Sequence, residues 1–467
     1  MYLIFLLVLS VMLIVVSTSR YKIHPFLALL VAGILFALFS GMPLAGIVEA
    51  VNQGFGGTIG QIGIVIVAGV IIGTFLEESG GAHAMARRIL KLTGRKRVTL
   101  TMSIVGYIVS IPVFCDSGFV ILNSLNKALT KEARLSLVGT AEALALGLMI
   151  THVLVPPTPG PIAAAGILEA DLGLVILLGV IVSLPVLVIS WLFSAKVASR
   201  MWLDPDPEGE NGPGTEDGPD SNKSPETKNG AGATAISPPA GQAPSAIHAF
   251  LPILVPILLI VLKSVAAFPT APLGTGTTAA VLGFIGEPVI ALLLGVLLAL
   301  TLPKKLDRSM LSTTGWAGKA MQNAALIILI TGAGGAFGNI LRQSELATVL
   351  SDSITGLRIG ILLPFLLAAA LKTAQGSSTV ALITAASLMS PLMLVLGFDS
   401  DMARALVVLA IGAGSLVVSH ANDSMFWVVT QMTGMDVKTG YRAHTMGTLT
   451  AGVSAFLFLW IASLILL

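Results

Sequence analysis

Four short runs of this chain carry the groups that could do chemistry, and all four interrupt apolar sequence. One is Asp116-Ser117-Gly118, and a second is Thr151-His152-Val153-Leu154-Val155-Pro156-Pro157-Thr158-Pro159-Gly160-Pro161. The third is Gln375-Gly376-Ser377-Ser378-Thr379, and the fourth is Ser419-His420-Ala421-Asn422-Asp423-Ser424. Pro156, Pro157, Pro159 and Pro161 stop helical hydrogen bonding and leave carbonyls unpaired. Gly-Ser-Ser-Thr opening an apolar stretch reads as a helix N-cap with several donors. Exposed N–H groups and the dipole at such a half-helix start attract anions. Donors of this kind suit a carboxylate with hydroxyls beside it, so the expected ligand is a small hydroxylated organic anion. The binding candidates are Asp116, Ser117, Gly118, His152, Pro156, Pro157, Thr158, Gln375, Gly376, Ser377, Ser378, Thr379, His420, Asn422 and Ser424. A plainer alternative, that the hydroxyls only cap helix ends, stays open.

A second chemistry, proton transfer, is suggested by Asp423, Asp116 and His420. A charge in lipid is costly, so intramembrane carboxylates are functional candidates by default. Burial raises a carboxyl pKa and would let it load and release a proton. His152 and His420 are expected in the last helical turns before their breaks, each after a hydroxyl residue. The competing readings are Asp423 as N-cap of a half-helix starting at Met425, and Asp116 as a turn residue beside Gly118. Glu142 and Glu287 are weaker proton candidates, and Glu77 is expected at the interface. Lys372 could offset substrate charge, pair with a carboxylate or snorkel. No metal or cofactor is expected: metal-ligand spacing is absent, and no Gly-x-Ser-x-Gly elbow occurs. The glycine-rich run 332–338 lacks the Lys-Ser/Thr of a nucleotide loop and suits close helix packing instead.

The elements that must position these groups follow from composition. Of 467 residues, 55% are hydrophobic and only 11% charged, against about a quarter charged in soluble domains. The chain is therefore expected to be an all-α polytopic membrane protein. The single Cys115 excludes an intrachain disulfide. Residues 1–19 lack a basic n-region and a small-residue cleavage site, and read as a retained first span. Residues 203–246 hold eight acids against two lysines with many Pro, Gly and Ser, the composition of a disordered linker. They divide the chain into 1–202 and 247–467.

Apolar stretches of bilayer length fall near 2–19, 25–42, 59–77, 135–168 and 173–195. In the second half they fall near 247–267, 278–302, 316–341, 402–432 and 441–466. Residues 98–126 have basic flanks on both sides, which implies a re-entrant hairpin; 359–392 occupies the corresponding place. Each half thus reads as about five spans, with a re-entrant hairpin and a broken helix (135–168, 402–432). Five is an odd number of crossings, which makes the halves inverted-topology repeats, with the breaks pointing to the binding site. The linker's net −6 leaves +8 elsewhere, an excess that orients the chain rather than binding nucleic acid. With both termini outside and the linker cytoplasmic, most lysines and arginines fall inside; Arg342 and Arg358 run against this.

The four runs, extended to Phe114-Cys115-Asp116-Ser117-Gly118-Phe119 and Gln375-Gly376-Ser377-Ser378-Thr379-Val380-Ala381, resemble the gluconate permease (gluconate:H⁺ symporter) family. The resemblance spans both halves apart from the linker. It implies a bacterial inner-membrane carrier of gluconate or another small hydroxy acid or D-serine, driven by protons. It also implies membership of the wider ion transporter superfamily, with paired hairpins and elevator-type motion. A homodimer in the bilayer is the expected assembly. Two other readings compete: a Na⁺-coupled carrier of the same build, and an intramembrane Ser/His enzyme. The duplication disfavours the enzyme, which needs only one catalytic set.

Overall fold

The computed structural model describes residues 2–94, 97–205, 243–266, 276–344 and 360–467. Most of the expected linker, together with Arg95, Lys96 and Arg358, lies outside these residues. All regular structure among the described residues is helical. The first half contains α1 (Tyr2–Ser19), α2 (Pro25–Phe39), α3 (Leu44–Glu78), α4 (Gly81–Thr93), α5 (Val98–Val109), α6 (Cys115–Ala133), α7 (Leu137–Leu154), α8 (Pro159–Ile167) and α9 (Leu172–Lys196). The second contains α10 (Ala246–Ala266), α11 (Thr277–Ile285), α12 (Pro288–Ala299), α13 (Trp316–Gln343), α14 (Leu362–Gln375), α15 (Ser378–Met389), α16 (Asp401–Leu416), α17 (Ser424–Thr433), α18 (Val437–Gly440) and α19 (Met446–Leu466). Among the described residues, six helical stretches are long and apolar enough to cross a membrane, or seven if a bent pair counts as one. The protein is a multi-span membrane protein.

Several apolar helices are short. At 1.5 Å per residue, α5, α14 and α15 reach only about 18–21 Å, short of a hydrocarbon core of about 30 Å. α5 leads into α6 through 110–114, and α14 into α15 through Gly376 and Ser377. Gly376 takes φ +79°, the left-handed conformation a tight helix exit needs. The breaks fall at 155–158, between α7 and α8, and at 417–423, between α16 and α17. Val418 sits in the second break at φ +56°, a strained state for a β-branched residue. Packing brings these pieces together: α5 against α7, α14 against α16, α15 against α8, and α17 against α6.

Two long helices, α3 and α13, pack closely along their length. A Cβ on Gly54 would strike the backbone of Gly335 and Ala336, so only glycine permits this approach. The 332–338 run is this packing surface and is buried.

Several expectations are corrected. The third span begins at Leu44, not 59, in a helix of 35 residues; Glu49, Asn52 and Gln53 hid its first half from a hydropathy reading. The span at 278–302 is bent by 64° between α11 and α12, because Pro288 opens a new helix after Gly286. The basic stretch after residue 80 contains an amphipathic helix, Gly81–Thr93, with Ala82, Met85, Ala86 and Ile89 buried. Glu287 faces Lys263 at 2.6 Å in a half-exposed ion pair, and Arg342 is matched by Glu169 at 3.2 Å.

Candidate functional site

Three helix N-termini open onto one cavity of about 440 Å³, those of α6, α15 and α17. Each is a helix start only because the sequence breaks the chain just before it, which leaves first-turn N–H groups pointing into the gap. The three ends are capped differently. Ser377 caps α15 by accepting from Val380 N, and Asp423 caps α17 by accepting from Met425 N. At α6 the cap position is Phe114, whose side chain can accept nothing. The first turn of α6 therefore has no N-cap side chain, and its residues Cys115, Asp116 and Ser117 line the cavity, an arrangement suited to a carboxylate.

Around that end the side chains offer hydroxyl partners. Ser424 Oγ donates to Asp116 Oδ2 at 2.8 Å, joining α17 to α6. Ser378 Oγ donates to the Ser415 carbonyl at 2.9 Å. His152 Nε2 lies 3.4 Å from Thr379 Oγ1, while its Nδ1 is buried without a partner. The other walls are Met149 on α7 and Gln322, Asn323, Leu326 and Ile327 on α13. A ligand here would meet N–H donors, a carboxylate acceptor at Asp116, an imidazole and several hydroxyls, with an apolar strip opposite. That set matches an acid bearing hydroxyl groups.

Asp423 is held differently from Asp116. Lys372 Nζ lies 2.5 Å from Asp423 Oδ2, with 1% and 4% of the two side chains exposed. Ser419 Oγ donates to the same oxygen. Lys372 also donates to the Gly376 carbonyl at 3.2 Å. Of the three readings open for Lys372, the ion pair is the one seen, and it ties the second hairpin to the second break.

Of the expected site residues, the cavity gathers Asp116, Ser117, His152, Ser377, Ser378, Thr379, Asp423 and Ser424. Gly118 lies behind them against Leu148. Pro156, Pro157 and Thr158 are buried away from the cavity, with Thr158 Oγ1 donating to Val155 O. Gln375 lines a separate cavity beside Lys22 and His24. His420 lies inside the 417–423 break, not in the last turn of α16; Asp423 is the N-cap of the following half-helix, which begins at Ser424, not Met425. His420 Nε2 and Asn422 Nδ2 both reach the Thr373 carbonyl, at 2.9 and 2.8 Å. They brace the hairpin tip, and Gly376 packs on the Asn422 carbonyl beside them. Gln322 and Asn323 were missed; two adjacent amides near the start of a long apolar helix were the available signal.

Ser378→Ala removes a hydroxyl of the α15 first turn and its bond to Ser415. A hydrogen bond between this hydroxyl and substrate would be worth about 0.5–1.5 kcal/mol, so substrate KM should rise roughly two- to tenfold, with expression unchanged. Uptake at graded substrate concentrations checks this, and an unchanged KM removes Ser378 from the site.

Helices broken part-way, with a polar cavity between the half-helix ends, are features of membrane transporters. A profile for the GntP family permease matches residues 1–465. The chain belongs to this family. It is 34% identical over 461 residues to the inner membrane permease YgbN of Escherichia coli, covering 97% of this chain and 96% of the relative. It is 34% identical over 468 residues to the gluconate permease of Pseudomonas aeruginosa, covering 97% and 95%. Among solved structures, Neisseria gonorrhoeae MtrF superposes with a TM-score of 0.64 at 13% identity, over 96% of each chain. That likeness is one of fold alone.

Proposed function

We propose that this protein imports gluconate or a related sugar acid across a bacterial inner membrane by proton symport. The observation that carries the reading is the cavity of about 440 Å³ between three half-helix N-termini, within the 300–1,000 Å³ usual for small-molecule sites. The relatives' names, gluconate permease and inner membrane permease, support the substrate class and the membrane. In this reading the uncapped turn of α6 and the first turn of α15 take the substrate carboxylate. Asp116, Ser424, Thr379 and His152 meet its hydroxyls, and Gln322 and Asn323 touch it from α13. The two halves, 1–202 and 247–467, are inverted repeats, with both termini outside and the linker cytoplasmic. Hairpins and broken helices move together past a scaffold in an elevator-type cycle, in a homodimer. The recurring helix order supports the repeat: α1–α3, then α5/α6, α7/α8 and α9 in the first half; α10–α13, then α14/α15, α16/α17 and α19 in the second.

The test is uptake of labelled gluconate into proteoliposomes of the full chain. An imposed inward proton gradient without sodium should drive accumulation above the equilibrium level. Accumulation only with a sodium gradient would replace the proton with sodium. No binding or exchange of gluconate, with a thermal shift from glycerate or D-serine instead, would replace the substrate.

A further inference from the structure

Away from the cavity, one buried ionisable pair has no place in substrate binding. Glu142 on α7 and His444, in the π-turn Tyr441–Thr445 that leads into α19, have fully buried side chains, with Oε2 and Nδ1 3.2 Å apart. Ten residues separate Glu142 from His152, about 15 Å along the helix. The pair is only half satisfied: Glu142 Oε1 and His444 Nε2 are both buried with no partner among the described residues. A simple pin between α7 and α19 needs no ionisable groups, and burying them unmatched is costly.

The surroundings are shaped for the pair. The π-turn widens the helix at His444, a distortion frequent at functional sites. A Cβ on Gly447 would strike Glu142 Oε1, so the glycine keeps that oxygen's place open. The pair is also wired to the substrate cavity. Thr445, next to His444, donates from Oγ1 to the Ser419 carbonyl at 2.5 Å; Ser419 donates to Asp423, which lines the cavity. Phe426 on α17 lies 6.3 Å from the His444 ring.

Ionisable groups lie on several of the elements packed around the pair. α5 brings Tyr107, bonded to Ser183. α6 brings Cys115, Asp116, Lys127, Lys131 and Glu132; α9 and the turn after it bring Lys196 and Arg200. α16 brings Asp401 and Arg404, and the stretch into α19 brings Lys438, Tyr441 and Arg442. His152 shares α7 with Glu142.

We infer that Glu142 and His444 form the site of the coupled proton. Carboxylate beside neutral imidazole is a buried net charge of −1. Binding one proton gives carboxylate beside imidazolium, net zero, which crosses the low-dielectric interior at lower cost. That proton is taken up on one side and released on the other, one per cycle at this site. The Thr445–Ser419–Asp423 chain makes cavity closure sensitive to whether the proton is bound.

This rests on the proton-symport reading, and the assays separate the two. In proteoliposomes, Glu142→Gln should retain gluconate counterflow while losing proton-driven accumulation and gluconate-induced external alkalinisation. A variant that accumulates and alkalinises like the parent overturns the proposal, as does a parent that alkalinises not at all. Should Glu142→Gln fail to fold, His444→Gln makes the same comparison. If both fail to fold, the pair is a structural pin and the inference falls. A parent that exchanges no gluconate strikes the substrate reading instead, and the comparison is repeated with the sugar acid that shifts its melting temperature.

Discussion

Lys372→Met should all but abolish transport and lower the melting temperature in detergent, because it strands Asp423 as a lone buried carboxylate. Lys372 is 1% and Asp423 4% exposed at the side chain, and their 2.5 Å contact is the charge balance of that pocket. Removing one partner of such a pair typically costs about 3–5 kcal/mol, mostly from the charge left behind. The loss concentrates where it matters for function, since the pair joins α14 to the start of α17, whose first turn lines the cavity. The check is a double variant. Lys372→Met with Asp423→Asn removes both charges and should recover most of the thermal stability without recovering normal uptake, because the Ser419–Asp423 link is altered. A single Lys372→Met protein as stable and active as the parent would show that the pair is not the balance described. A double variant less stable than the single one would show the same.

Gly376→Ala is the second large effect expected. The residue holds φ +79°, and a Cβ there would collide with the Asn422 carbonyl. A left-handed non-glycine residue costs of order 1–3 kcal/mol, and the collision forces the hairpin tip off the 417–423 break. His420 and Asn422 both hold the Thr373 carbonyl just before the tip, so they would shift with it. Substrate affinity should fall at least about tenfold, equivalent to ~1.4 kcal/mol, while the α3–α13 pair stays folded. Isothermal binding measurements on purified protein read this directly; parent-like affinity would place the tip outside the binding geometry.

Much of the candidate site was legible because its residues violate the rules of their surroundings. Prolines at 156, 157, 159 and 161 cannot continue a helix, and acids or histidines in apolar sequence stand out. Helix ends, and the donors they expose, follow from those breaks. What stayed hidden was which exposed end faces the ligand. His420 and Asn422 look like binding residues by type, yet they spend their nitrogens on a neighbouring backbone. Pro156 and Pro157 make the break without lining the cavity. Gln322 and Asn323 reach the cavity from a helix whose sequence reads as packing.

Read alone, the order of residues determined that this is a multi-span helical membrane protein, where its helices fail, and which family it belongs to. The first two depend on local hydropathy and on proline and glycine stereochemistry, which act within a few residues of one another; the third rests on four motifs that resemble a known family. Only the tertiary structure decided that Lys372 neutralises Asp423, 51 residues away, that Ser424 meets Asp116 across 308 residues, and that Glu142 meets His444 across 302. Such pairings depend on which helix faces pack together, and side-chain volumes summed over the whole fold settle that.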